Sequence, residues 1–260
     1  MIAKLFNEQR PLMIAGLVSF LCFVVTLVLT QFDPTLILGI NRWIKPMKFF
    51  ISIAIFVWTI ALFLRYLKGH ERFSRFTSWA MIAIFVVEMA AVVGQAARGT
   101  TSHFNIGDPL NAAVFAIMGI AIVFNTILVA VLTYFYFRSD IDLPDSVIWG
   151  MRLGLLLFLA GSIQGGYMSA QLGHTVGAMD GGPGLPLTNW STVAGDLRVA
   201  HFLGLHSLQA VPVFAVVCEK LRVSGRLALT VGFAVTYFAL FVFLFAQAIA
   251  ARPVLHWPLT

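Results

Sequence analysis

Apolar residues run along this chain in long uninterrupted stretches. They do not alternate as in a half-buried strand, nor fall into the three-to-four spacing of a surface helix. Charged residues and Gly/Pro-rich breaks separate seven such stretches, at about 11–30, 46–67, 77–98, 110–137, 147–172, 198–219 and 227–251. Each reaches the roughly 20 residues that a helix needs to cross the hydrocarbon core. The fourth is long for a bilayer and is expected to tilt or project. The pattern predicts an all-α protein, a seven-transmembrane-helix bundle formed as one integral membrane domain over residues 1–260. The first stretch, Pro11 to Thr30, lacks a small-x-small cleavage site before Gln31, Phe32, Asp33 and Pro34 and reads as a retained helix.

Composition agrees. Of 260 residues, 60% are hydrophobic and 11% charged, where soluble domains carry about a quarter. Mean hydropathy is +0.91. So few charges exclude a water-soluble enzyme, and they exclude nucleic-acid binding despite a pI near 9.7. Cys22 and Cys218 lie within apolar runs and build neither a disulfide framework nor a zinc site. The expected location is a cell membrane, multi-pass, with a bacterial inner membrane favoured.

Net charge is +6, and its distribution sets orientation. Eleven Lys and Arg, among them Arg65, Lys68, Arg72 and Arg75, fall on one side. Six fall on the other: Arg42, Lys45, Lys48, Arg98, Arg198 and Arg252. The positive-inside rule places the N-terminus in the cytoplasm and the C-terminus outside. The outer connection 173–197 carries GGPGLPLTNW with Trp190 and is bracketed by His174 and His201. So long a loop reads as a lid. A retinal protein is excluded because the last stretch has no Lys for a Schiff base.

Ionisable groups inside a membrane are costly and point to function. In the second span, Lys45 and Lys48 share a face with Ser52 and Thr59 and crowd a helix N-terminus already flanked by Arg42. That conflict calls for an anionic partner, although Lys also snorkels to headgroups. In the third span, Glu88 lies near the centre, Gln95 shares its face, and Arg98 and His103 follow outward. A lone mid-membrane carboxylate is protonated, paired, or part of a proton path. The fifth span offers Gln164, Gln171 and His174, with Gly161, Gly165 and Gly166 allowing close approach. In the sixth, Arg198, His201, His206 and Gln209 occupy one arc of about 140°, and Asp196 is placed to cap the helix and pair with Arg198.

These residues predict an outward-facing polar cavity. Glu88 and His206 are the candidate catalytic groups, and Lys45, Lys48, Arg98, Arg198, Gln164 and Gln209 would bind substrate. His103, His174, His201 and His206 would ligate a transition metal or haem b. His201 and His206 stand five apart, so only one of them would serve a given ion. His70 and His256 lie in a basic loop and the tail and are set aside. The sequence contains no HExxH or CxxCH.

Three functions follow. The leading one is a metal- or haem-linked membrane enzyme or redox protein. Another is a proton-coupled transporter or receptor for an anionic small molecule or lipid headgroup. The third is a structural subunit of a membrane complex. Expected partners are the bilayer and a small anionic or lipid-soluble ligand, without nucleic acid; an oligomer is compatible with all three. The segments NRWIKPMKFF and GDLRVAHFLGLHSLQ stand out as signatures without a known activity.

Overall fold

The computed structural model describes residues 2–255, so His256 lies outside the described residues. The chain is all-α apart from two short two-stranded ladders. Among the described residues, seven helices are long and apolar enough to cross a membrane, which makes it an integral, multi-pass membrane protein. It divides into two compact units, Met1–Leu128 and Val129–Thr260.

The first unit holds α1 (Ile2–Glu8), α2 (Arg10–Phe32), β1 (Leu36–Ile37), β2 (Ile40–Asn41), α3 (Ile44–Tyr66), α4 (Glu71–Ala97) and α5 (Pro109–Arg138) as far as Leu128. Pro11 sits in the first turn of α2, where its missing N–H costs nothing. Gly16 lets α2 approach α3: a Cβ there would fall on the Trp58 indole, whose Nε1 donates to the Met13 carbonyl at 3.2 Å. On α3 the buried stripe Ile53, Ala54, Val57, Ile60, Ala61 and Leu64 has helical spacing and is wholly apolar. The corresponding stripe on α4 is different. It reads Ser74, Thr77, Ser78, Met81, Ile84, Glu88, Val92 and Gln95, so α4 turns its polar residues inward.

Helix α4 begins at Glu71, before the apolar stretch that starts near residue 77, and takes Arg72 and Arg75 into its first turns. Hydropathy registers where the hydrocarbon begins, whereas the backbone ladder continues into the interface. The β1–β2 hairpin pairs Ile37 with Ile40 around Leu38 and Gly39, both at positive φ (48° and 78°). That is the two-residue turn whose twist matches a hairpin.

The second unit holds the end of α5, then α6 (Asp145–Ala170), β3 (Thr175–Val176), β4 (Gly195–Asp196), α7 (Leu197–Lys220) and α8 (Arg226–Ile249). Helices α6 and α7 meet through glycine. A Cβ on Gly161 would stand 2.8 Å from the Gly204 Cα, and one on Gly154 would stand 2.8 Å from the Ser207 carbonyl oxygen. Gly150–Gly154 and Gly161–Gly165 are two Gly-x-x-x-Gly steps, the spacing that lets membrane helices touch backbone to backbone. The Ser207 hydroxyl donates across that seam to the Gly154 carbonyl at 2.9 Å, and the Tyr237 hydroxyl of α8 donates to the Leu203 carbonyl at 2.8 Å.

The 173–197 connection is folded. Thr175 and Val176 pair with Asp196 and Gly195, and Gly184 bridges Ser191.

Candidate functional site

Each unit gathers its own polar cluster. In the first unit, Lys45 at the start of α3 brings its Nζ to 3.1 Å from His103 Nδ1, and Ser102 Oγ lies at the same distance. An ammonium only donates, so Nδ1 accepts and the ring hydrogen stands on Nε2. Phe49 and Phe104 meet the imidazole edge to face at 5.6 and 6.0 Å, and Phe115 lies at 6.4 Å. Lys45 also acts electrostatically on Glu88. Glu88 is 2% exposed on the inward stripe of α4, and its Oε1 has no hydrogen-bond partner among the described residues. Lys48 follows Lys45 by three residues on α3, somewhat less than a full turn.

A second group stands at the C-terminal end of α4. Arg98 Nη1 donates to Gln95 Oε1 at 2.5 Å and to Asn111 Oδ1 at 3.1 Å. Gln95 Nε2 donates to the same Asn111 oxygen at 2.7 Å. Asn111 is held in turn by Asp108, which accepts from its backbone N–H at 2.9 Å and from its side-chain amide.

The hairpin that precedes α3 is latched by Asp33. This carboxylate accepts from Arg42 Nε at 2.6 Å, from Trp43 Nε1 at 2.8 Å and from the Thr35 N–H at 3.1 Å. Hydrogen bonds from the Thr35 side chain foremost, and then from Trp43, hold it well below the usual carboxylate range. Arg42 Nη1 also reaches the Ala97 carbonyl at the end of α4, at 3.3 Å.

In the second unit, Asp196 caps α7 by accepting from the Arg198 N–H at 3.0 Å, and it accepts from Ser191 N–H at 2.8 Å. Its carboxylate takes the Arg198 guanidinium in two bonds, Nε–Oδ1 at 2.9 Å and Nη2–Oδ2 at 2.6 Å. Nη2 also donates to the Asn189 carbonyl, so Arg198 ties the 173–197 connection to the helix start. His174 Nδ1 lies 3.2 Å from Asp180 Oδ1.

The His201 Nδ1 stands 2.9 Å from the Gly161 carbonyl, which fixes the ring hydrogen on Nδ1. Gly165 makes room for the ring: a Cβ there would lie 2.5 Å from its Cε1. His206 is hydrogen-bonded to Gln209, and its ring packs on Phe202 at 4.1 Å. Gln164 donates to the Leu197 carbonyl at 3.1 Å, while its Oε1 is buried without a partner among the described residues.

Of the residues singled out from sequence, Lys45, Glu88, His103 and Arg98 fall in the first unit's clusters, and His174, Arg198, His201, His206, Gln209 and Gln164 in the second's. Asn111, Asp108, Asp33 and Asp180 escaped the sequence reading. The available signal for the first two was the run Asp108-Pro109-Leu110-Asn111, an acidic cap followed by an amide one turn into an apolar helix. Among the described residues, no three His, Cys, Asp or Glu side chains are grouped as they would be around a metal ion. Comparison with known protein families, curated proteins and solved structures returns no match.

Proposed function

We propose that this membrane protein couples proton movement to the transport or sensing of an anionic small molecule or lipid headgroup. The observation that carries the reading is the Lys45–His103 contact at 3.1 Å, with the buried Glu88 carboxyl inside the field of the same lysine. A carboxyl, an ammonium and an imidazole in one hydrogen-bonded and electrostatic neighbourhood share few positive charges among several bases. Adding a proton to His103 would set two cations 3.1 Å apart, so an approaching anion favours uptake of that proton. Glu88 is the natural store for a proton held away from water.

Reconstitution tests this. Liposomes carrying the purified protein and a trapped pH indicator are given gradients of inorganic phosphate or succinate. Luminal pH should change with the anion gradient, and Glu88→Gln should slow that change at least tenfold at equal protein incorporation. A rate unchanged in Glu88→Gln overturns the reading.

A second reading, a haem- or metal-linked redox protein, is favoured by one observation. His201 directs Nδ1 at the Gly161 carbonyl, the hydrogen bond that a ligating imidazole commonly makes while Nε2 faces the metal. The absorption spectrum and metal content of the same preparation decide it. A Soret band lost in His201→Ala supports it, and protein with neither a Soret band nor stoichiometric metal removes it.

A further inference from the structure

At the C-terminal end of α4 the nearby carboxylates Asp33 and Asp108 are already engaged. Asp33 is committed to Arg42, Trp43 and Thr35, and Asp108 to both N–H groups of Asn111. Among the described residues, Arg98 has no carboxylate at ion-pair distance, and its hydrogen-bond acceptors are two neutral amide oxygens. Both of those bonds use one nitrogen, Nη1. The Nε/Nη2 edge, which can take a carboxylate or phosphate in two parallel bonds, makes no hydrogen bond among the described residues.

We propose that this edge of Arg98 is a docking point for an oxyanion, a carboxylate or a phosphate, and that Gln95, Asn111 and Asp108 are its positioning residues. The proposal rests on the anion half of the preceding reading and gives it a contact residue. Four features support it. The two amides that grip Nη1 are themselves buried, Gln95 at 2% and Asn111 at 7% exposure, while Arg98 is exposed. A guanidinium clamped on its inner nitrogen keeps its outer edge in one plane, so the ordering cost is met on folding and not on binding. Asp108 polarises Asn111 from behind and fixes which way its amide faces. The group lies at the end of a membrane-crossing helix, where lipid phosphates and soluble anions are both within reach.

A simpler role would be neutralising the negative end of the α4 dipole, for which any cation serves. Substitution by lysine separates the two, because it keeps the charge and loses the fork. The test uses the full-length protein in phosphatidylcholine nanodiscs with and without phosphatidylglycerol, and with inorganic phosphate or acetate in solution. Thermal unfolding followed by tryptophan fluorescence reports soluble anions, and native mass spectrometry reports retained lipid.

Wild-type protein should be stabilised by phosphate or acetate if the ligand is soluble, or should retain phosphatidylglycerol if it is a headgroup. Arg98→Gln should weaken whichever binding occurs about tenfold, and Arg98→Lys and Asn111→Ala at least threefold. Binding unchanged in Arg98→Gln overturns the proposal, and binding fully kept in Arg98→Lys overturns the fork in favour of the dipole. If Arg98→Gln is too unstable to purify, Asn111→Ala and Arg98→Lys carry the same decision. Wild-type protein that binds the anion in nanodiscs yet moves no protons in liposomes keeps this proposal and overturns the coupling. Proton movement that follows the anion gradient while binding is unchanged in Arg98→Gln does the reverse.

Discussion

A single carboxylate fixes how the chain enters α3. Asp33 gathers Arg42, Trp43 and Thr35 onto one side chain, and those bonds hold its pKa below the usual carboxylate range. The sign follows directly. A carboxyl whose folded value lies below its unfolded value of about 4 stabilises the fold fully above that value and loses the contribution as pH falls toward the folded one. Thermal stability should therefore drop as pH is lowered from about 5 to about 3, and this acid-dependent part should vanish in Asp33→Asn. Trp43 fluorescence reports the latch directly, since its indole is one of the partners. A pH profile identical in wild type and Asp33→Asn would remove Asp33 from the acid response.

At this scale the sequence was half legible. Asp196 and Arg198 are two residues apart at a helix start, so capping logic finds them. Lys45 and His103 are 58 residues apart, and nothing in local periodicity brings them together. Helix-face arithmetic placed Glu88 and Gln95 on one side of α4 without revealing that Gln95 serves Arg98 and Asn111.

At the scale of elements, the seven membrane-crossing helices were legible because each is a long apolar run, whereas the short α1 was not, and neither were the helix ends, because they lie where hydropathy no longer discriminates. The α6–α7 seam is the element contact with the least tolerance. Gly161 has the Gly204 backbone 2.8 Å from where its Cβ would be, whereas Gly166 has nothing within 4 Å. Backbone cannot swing aside as a flexible side chain does. Gly161→Ala should cost about 1–3 kcal/mol by forcing the helices apart, while Gly166→Ala should be neutral or slightly stabilising. Chemical or thermal unfolding in detergent measures both. Equal stability of the two variants would mean that the seam relaxes freely. The Gly-x-x-x-Gly spacing made this contact readable in α6, but its partner face on α7, built from Gly204, Ser207, Pro212 and Ala215, carries no comparable motif.

For the whole molecule, the number of membrane-crossing helices follows from hydropathy alone, because the bilayer demands that every backbone amide be satisfied inside its own segment. Orientation follows from a different quantity, the excess of Lys and Arg on one side, eleven against six. Seven crossings, with this charge bias, predict an N-terminus inside and a C-terminus outside. A tag on the C-terminus should be reachable by an impermeant reagent on intact cells, and one on the N-terminus should be reached only after lysis. Labelling of the C-terminal tag only after lysis would invert the orientation and place the 173–197 connection in the cytoplasm.

The inward polar stripe of α4 bears on how the protein is made. A helix bearing Ser74, Thr77, Ser78, Glu88 and Gln95 along one face is poorly suited to stand alone in lipid. Among the described residues, the Gln95 amide finds its acceptor on Asn111, which is synthesised later, in the first turn of α5. During biogenesis α4 should therefore linger at the insertion machinery until α5 emerges, so that the two leave for the bilayer as a pair.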